Sequence, residues 1–406
     1  MLTTTTAKID SLLSKLYFPV LVVLCLFSMI HYFRVSSGLA AIWSGWSIGD
    51  WAINYDTGPT RRGLAGEIIF FIARVFHLKI NWLIFSIQGF ALVGFMSLFL
   101  NVVRKKQLSF WYVIGCFSPA FFLLFTYYDS MAIGRKEILL YLTFMVWVVF
   151  CLRDQISTLK IIGFSLLQFL LALSHEAFFF YSLYFCAAVW LSTDKYKKLV
   201  LAIPLCSFIA VALTFLFFKT VDPTISCNTL LALGAFPEVC AGVLSAGPQD
   251  ALLLAKQYFQ NFDALSLLNI VSVCLIILLP AYLILNTNSF KKFSRRTQLS
   301  LLFGLICFSF PLFIFAIDWG RWISMHVTLT LVMLILTLKN KGAHNVIKPI
   351  SHLSAAAKVT LLAGVFCTFA LFSFTYSLNH CCAKDFVKPF GPIIKIKHTS
   401  VFQGKN

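Results

Sequence analysis

Charge is what this sequence has least of: only 12% of its 406 residues are Asp, Glu, Lys or Arg, and only 15 are acids. Soluble domains carry about twice that share. With 60% hydrophobic residues, 16% aromatic and 44 phenylalanines, no polar face is large enough to coat the chain in water. That excludes a string of soluble domains. The sequence also lacks a Gly-x-x-x-x-Gly-Lys loop and a G-x-G-x-x-G turn, so this chain alone is not expected to bind a nucleotide or drive transport with ATP. None of its 12 cysteines pairs with another Cys or His at zinc spacing, and there is no internal repeat or low-complexity tract. No cofactor and no metal are expected.

What is present is a series of apolar runs. Taking about 20 residues as the length that crosses a bilayer, we mark eleven spans at 16–33, 82–103, 108–128, 138–152, 161–174, 177–191, 199–218, 266–286, 298–317, 322–338 and 359–378. The fold class is therefore all-α: one polytopic integral membrane domain over 1–406, with about eleven transmembrane helices. The first run is too long for a cleaved signal and follows Lys8 and Lys15, so the N-terminus is expected to stay inside and the C-terminus outside. Leu64–Lys79, interrupted by Glu67, Arg74, His77 and Lys79, reads as an interfacial helix within a first outer loop at 35–81. A large outer loop is expected at 219–265 and an outer tail at 379–406.

The net charge of +18 follows this topology. Eighteen of the 33 basic residues fall on inner loops, where anionic lipid holds them, so nucleic acid is not an expected partner. Twelve of the 15 acids fall outside, although acids barely influence topology. Cys227, Cys240, Cys381 and Cys382 would share that oxidising side, where a Cys227–Cys240 disulfide is one of three complete pairings. The other eight cysteines read as small apolar residues.

Four charged segments abut the spans, all on the outer side. The first holds Asp50 and Asp56, then Arg61 and Arg62. A carboxylate there can take a proton from a sugar hydroxyl, and paired guanidiniums can fork onto phosphate oxygens. The second is Asp129 to Glu137, where Arg135 and Lys136 could neutralise a diphosphate leaving group while Asp129 or Glu137 holds them. The third is His175-Glu176, at the tip of a tight hairpin surrounded by Phe, where a carboxylate can acquire acid–base character or fix the His tautomer. The fourth is Asp318-Trp319-Gly320-Arg321-Trp322, in which Asp318 and Arg321 can pair at i, i+3 and Trp319 and Trp322 suit an interface or a sugar face. Each also has a plain structural alternative: headgroup contacts, a solvated turn, an ordinary ion pair, a Trp belt. A single polar cavity accounts for all four with one assumption.

At these residues the chain resembles a group of polytopic bacterial membrane proteins linked to surface-polysaccharide synthesis. The shared features are Asp56 followed by Arg61-Arg62-Gly63-Leu64, the turn Gly134-Arg135-Lys136-Glu137, His175-Glu176, and the segment Asp318 to Trp322. More distantly it is similar to GT-C glycosyltransferases and O-antigen polymerases, which take a sugar or glycan from a polyprenyl phosphate or diphosphate at the outer membrane face. The resemblance implies a multi-pass protein of the bacterial inner (plasma) membrane and a membrane glycosyltransferase or surface-polysaccharide polymerase. Its partners would be a polyprenyl-linked sugar or glycan, membrane lipid and polysaccharide-assembly proteins. Asp56, Asp50, Glu176 and His175 would be catalytic, while Arg61, Arg62, Arg135, Lys136 and Arg321 would bind phosphate. Asp129, Glu137, Asp318, Trp319 and Trp322 would support them. Many GT-C enzymes carry a soluble C-terminal domain, whereas this chain has a tail of 28 residues, which favours a polymerase. The alternatives are a lipid-linked glycan flippase or other transporter, and a noncatalytic subunit of an envelope assembly.

Overall fold

A computed structural model describes residues 2–34, 41–56, 58–129, 132–217, 223–241, 295–315, 318–338 and 340, with isolated positions at 253–284 and 357–367. These residues form helices and no named strand. In chain order they are α1 (Leu2–Arg34), α2 (Ala41–Ala52), α3 (Gly63–Val75), α4 (Ile80–Val103), α5 (Phe110–Cys116), α6 (Phe122–Tyr128) and α7 (Glu137–Leu152). Then come α8 (Thr158–Ser174), α9 (Ala177–Tyr181), α10 (Leu183–Ser192), α11 (Ala202–Phe217), α12 (Pro223–Ala232), α13 (Arg295–Phe315) and α14 (Trp319–Leu334).

Five stretches are long and apolar enough to cross a membrane: Lys15–Arg34, Ile80–Val103, Leu199–Phe217, Arg296–Phe315 and Trp319–Thr337. Glu137–Leu152, Thr158–Ser174 and Ala177–Ser192 are shorter apolar segments. By length and composition the chain is a multi-pass membrane protein. The span expected at 266–286 is described only at isolated helical positions, as is 359–378, and the tail at 379–406 lies outside the described residues.

Two expectations need correction. The loop at 35–81 contains a helix, α2, whose last turn buries Ile48, Trp51 and Ala52 against the rest of the protein. Burial of that face outweighs the low helix propensity of its two glycines and two serines. The run 108–128 is not one helix: α5 and α6 are separated at 117–121, where Pro119 lacks the N–H that would continue the ladder. The freed amides find other acceptors, Ala120 N on Ser118 Oγ (3.3 Å) and Phe122 N on Thr328 Oγ1 (3.0 Å).

Helix α14 is the axis of the bundle. In its apolar stretch 89% is buried among the described residues, against 22–39% for the other four. Polar side chains pin neighbouring helices to it, as expected where no water is present to satisfy them. Tyr112 of α5 donates to Leu331 O (3.3 Å) and Tyr181 of α9 to Trp322 O (3.0 Å). His326 bonds Tyr184 Oη (2.8 Å) and Ser309 Oγ (2.5 Å) through its two ring nitrogens, joining α10 and α13. Elsewhere small residues let helices approach: Ala172 of α8 packs with Ala210 and Val211 of α11. A Cys227–Cys240 disulfide closes the segment after α11, with Cα atoms 5.4 Å apart. Leu233 O of this segment accepts from Ile80 N at the start of α4 (3.3 Å), and its 3₁₀ turn Pro237–Ala241 packs on α2.

Candidate functional site

The described residues bring parts of all four charged segments to one end of the bundle. Arg62 precedes α3 with a left-handed backbone, φ 63°, a conformation that costs a non-glycine residue about 1 kcal/mol. Packing enforces it. A Cβ on Gly66 would come 1.8 Å from Ile53 O and one on Gly63 2.2 Å from the Tyr55 ring, so only glycine lets α3 press this closely onto residues 51–55. Tyr55 N donates to Glu67 Oε2 (2.9 Å) across the same contact.

So aimed, the Arg62 guanidinium grips Glu176 with Nε on both carboxylate oxygens (2.9 and 2.7 Å) and Nη2 on Oε1 (2.6 Å). Arg61 Nη1 stands 3.8 Å from Glu176 Oε1, and Arg62 Nη1 stands 3.8 Å from Asp50 Oδ1. Lys136, fully buried before α7, donates to Arg62 O and Ser174 O, both at 3.0 Å, and so ties three loops together. The next residue, Glu137, accepts from Arg321 Nε at 2.9 Å and also from Arg321 Nη2. Arg321 Nη1 donates to Asp318 Oδ2 (2.6 Å), and its guanidinium lies over the Trp322 ring. Trp51 Nε1 donates to Gly134 O (2.7 Å), fixing α2 to the turn that carries Arg135 and Lys136.

Burial and charge set the protonation of the loop groups in opposite ways. For Asp50, sealed from solvent, burial pushes the carboxyl up, but Lys136, His175, Arg62 and Arg135 together hold it below the ordinary carboxylate range. Glu176 behaves alike: burial raises it, and Arg62, through charge and hydrogen bonds, drives it well below that range. Burial lowers Arg62 but Glu176 more than compensates, so its pKa is raised. Arg61 is lowered, first by the neighbouring Arg62 charge and then by burial. Burial lowers Arg135, with the Arg321 charge adding to it. Lys136 is brought down to about 8 and His175 to about 4, burial being the main cause for both. His175 is thus neutral at pH 7, with Nδ1 accepting from Ala177 N (3.2 Å) and the proton on Nε2. That Nε2 and both Asp50 oxygens are buried with no hydrogen-bond partner among the described residues.

Beside this network a narrow cleft, with an internal volume of about 20 Å³, opens between α1, α4, α6 and α7. Arg135, Glu137 and Arg321 reach it from the charged end, with Tyr32, Gln88 and Tyr141 among its remaining walls.

Not every expected residue joins. Asp56 pairs with Arg74 at 2.7 Å on a solvent-accessible patch, so its carboxylate is engaged outside the buried network. Asp129 is buried where α6 ends, and its backbone N–H donates to Phe125 O. Trp319 packs on Phe313, while Trp322 is buried edge-on to His175. Reading the sequence for charge missed Gln88 and Tyr32. The signal for Gln88 was present, since it is the only amide side chain between Asn81 and Asn101 in an apolar run. Among the described residues no three His, Cys, Asp or Glu side chains are grouped to hold a metal ion. No protein-family model, curated protein or solved structure matches this chain.

Proposed function

We propose that the protein is a membrane glycosyltransferase, a surface-polysaccharide polymerase or single-sugar transferase, that uses a polyprenyl-(di)phosphate-linked sugar or glycan. The observation that carries this reading is the cleft, in which two guanidiniums, Arg135 and Arg321, and one carboxylate, Glu137, meet aromatic and aliphatic walls. A lipid phosphate needs that combination: apolar surface for the chain, fixed positive charge for the head and a base for the incoming hydroxyl. We place it in the bacterial inner membrane with eleven spans, the N-terminus inside and the charged end facing outward.

The reaction joins an acceptor hydroxyl to the anomeric carbon of the lipid-linked sugar. The bond from that carbon to the phosphate oxygen breaks, and its electron pair leaves on the phosphate, stabilised by Arg135 and Arg321. The acceptor's proton passes to Glu137 Oε2. Of the acids first considered for that step, Asp56 is engaged by Arg74, Glu176 is clamped by Arg62, and Asp50 has no exposure. Glu137 alone of these four carboxylates lines the cleft; Arg321 holds its Oε1, and its Oε2 is buried with no partner among the described residues. Arg62, Glu176, Lys136 and Asp50 then brace the loops that present Arg135 and Glu137.

A second reading, a lipid-linked glycan flippase, is favoured by the break between α5 and α6, since discontinuous helices line many transport pathways. One experiment separates the two. Cells lacking the protein are complemented with wild type, Arg135→Ala or Glu137→Gln, with membrane levels checked, and their lipid-linked glycans are located by leaflet. Outer-leaflet accumulation of single repeat units rescued only by wild type supports the transferase; accumulation confined to the inner leaflet supports the flippase; unchanged glycans refute both.

A further inference from the structure

Two hydrogen-bonding atoms of the cleft have no partner among the described residues. They are Gln88 Nε2 on α4 and Glu137 Oε2 at the start of α7, on side chains that line the cleft from residues 2% and 7% exposed. A buried polar group without a partner carries its full desolvation cost, so a native structure keeps such groups where a ligand or water completes them.

Both groups are held in place. The Tyr32 hydroxyl lies 3.0 Å from Gln88 Oε1, leaving the amide nitrogen as the open end. Gly134, with φ 69°, lies so close that a Cβ there would stand 3.0 Å from Gln88 Oε1 and 3.2 Å from Nε2. A side chain at 134 would therefore disturb the carboxamide as well as strain the turn. On Glu137, Oε1 takes two N–H groups of Arg321, which leaves Oε2 open.

One open donor and one open acceptor define the chemistry of what fits. A phosphate offers only acceptors and meets Glu137 as a like charge. A hydroxyl is at once acceptor and donor, so it complements both an amide N–H and a carboxylate oxygen. We infer that Gln88 and Glu137 form a binding point for a sugar hydroxyl, with Gln88 determining selectivity for the glycosylated lipid over the bare lipid phosphate. This rests on the reading of the cleft as a glycosyl-transfer site, and it adds Gln88 and Tyr32 to that site.

The test compares two probes on the purified full-length protein in nanodiscs: undecaprenyl phosphate, and undecaprenyl phosphate carrying a hexose or N-acetylhexosamine. Wild type is expected to bind a glycosylated form more tightly. Gln88→Leu should weaken that binding about tenfold, the worth of one well-placed hydrogen bond, and leave the bare phosphate within twofold. Tyr32→Phe leaves the carboxamide in place but free to turn, and should give a smaller loss of the same sign. Elution profile and unfolding midpoint check the fold of each variant. Equal weakening of both probes, or no change in either variant, overturns the inference and assigns the open atoms to structural or water contacts, while the phosphate reading stands. Failure of wild type to bind any probe overturns the reading of the cleft and this inference with it.

Discussion

Replacing Lys136 by Met tests whether the buried charges act as one unit. The ammonium is fully buried and donates to Arg62 O and Ser174 O at 3.0 Å, so its loss strands two carbonyls at about 1–3 kcal/mol each. It also removes the strongest cationic influence on Asp50, which has no hydrogen bond to fall back on. Relief from burying the ammonium offsets part of this, and Lys136→Met should cost about 3–5 kcal/mol, the range for breaking a buried pair. Asp50→Asn leaves the cations of Lys136, Arg62 and Arg135 less balanced and should cost about 3 kcal/mol. In the double variant neither charge is left facing a missing partner, so its total should fall short of the sum by about 2 kcal/mol, within the range for residues sharing a network. The assay is equilibrium unfolding of the purified protein in mixed micelles with added SDS, followed by tryptophan fluorescence. Asp56→Asn, at an exposed pair worth at most about 1 kcal/mol, is the control. Losses that add within about 0.5 kcal/mol would refute the coupling and reduce Lys136 to a pin between loops.

Three further outcomes follow from the same geometry. Stability should fall as pH drops from about 6.5 to about 4, because His175 is neutral in the fold down to about 4 while the unfolded chain takes up its proton near 6.5; Glu176 adds a loss as pH falls below about 4.5. Lys136 works at the other end, since its pKa of about 8 makes stability rise between about pH 8 and 10.5, and an unfolding midpoint flat across both windows would contradict these assignments. Gly66→Ala, which places a Cβ 1.8 Å from Ile53 O, should cost about 3 kcal/mol and displace Arg62, seen as a lower midpoint and a weaker response to Glu176→Gln in the same background. Opening the 13-residue separation between Cys227 and Cys240 by double Ser substitution should cost about 3 kcal/mol, and reducing agent should then leave the midpoint unchanged.

That the four charged segments would meet was legible as an expectation from the span count. Counting spans puts residues 50–62, 129–137, 175–176 and 318–321 on one side, and any bundle that folds brings such loops close. Pairing was not legible. Asp50 and Asp56 are six residues apart in one polar stretch, yet α2 buries the first beside Arg62 while the second turns outward to Arg74. That choice depends on α2, whose twelve residues carry two glycines and two serines and gain their helical form from tertiary burial. The break at 117–121 escaped for a related reason: its residues are as apolar as the helices on either side, with Pro119 the one mark. Gln88 was passed over because it is uncharged, although an amide inside an apolar run is itself a signal.

The proposed site and a structural clasp make different demands on the buried polar atoms. Replacing a buried ion network by apolar side chains is often neutral or stabilising, so stability alone does not explain why this chain buries Arg62, Glu176, Lys136, Glu137 and Arg321 together. Along the bundle the hydroxyls and ring nitrogens of Tyr112, Tyr181, Tyr184, Ser309 and His326 all find partners, as a structural role requires. At the charged end the pattern changes: both oxygens of Asp50, His175 Nε2, Glu137 Oε2 and Gln88 Nε2 are buried with no partner among the described residues. Gln168 on α8 also leaves its amide unsatisfied, and nothing in the structure explains it. His31 Nε2, Asn81 Oδ1, Trp322 Nε1 and Ser324 Oγ are likewise without a partner among the described residues. On the proposed reading Gln88 Nε2 and Glu137 Oε2 are the atoms a substrate hydroxyl would complete, whereas a purely structural clasp needs each of them closed by water or a neighbouring side chain.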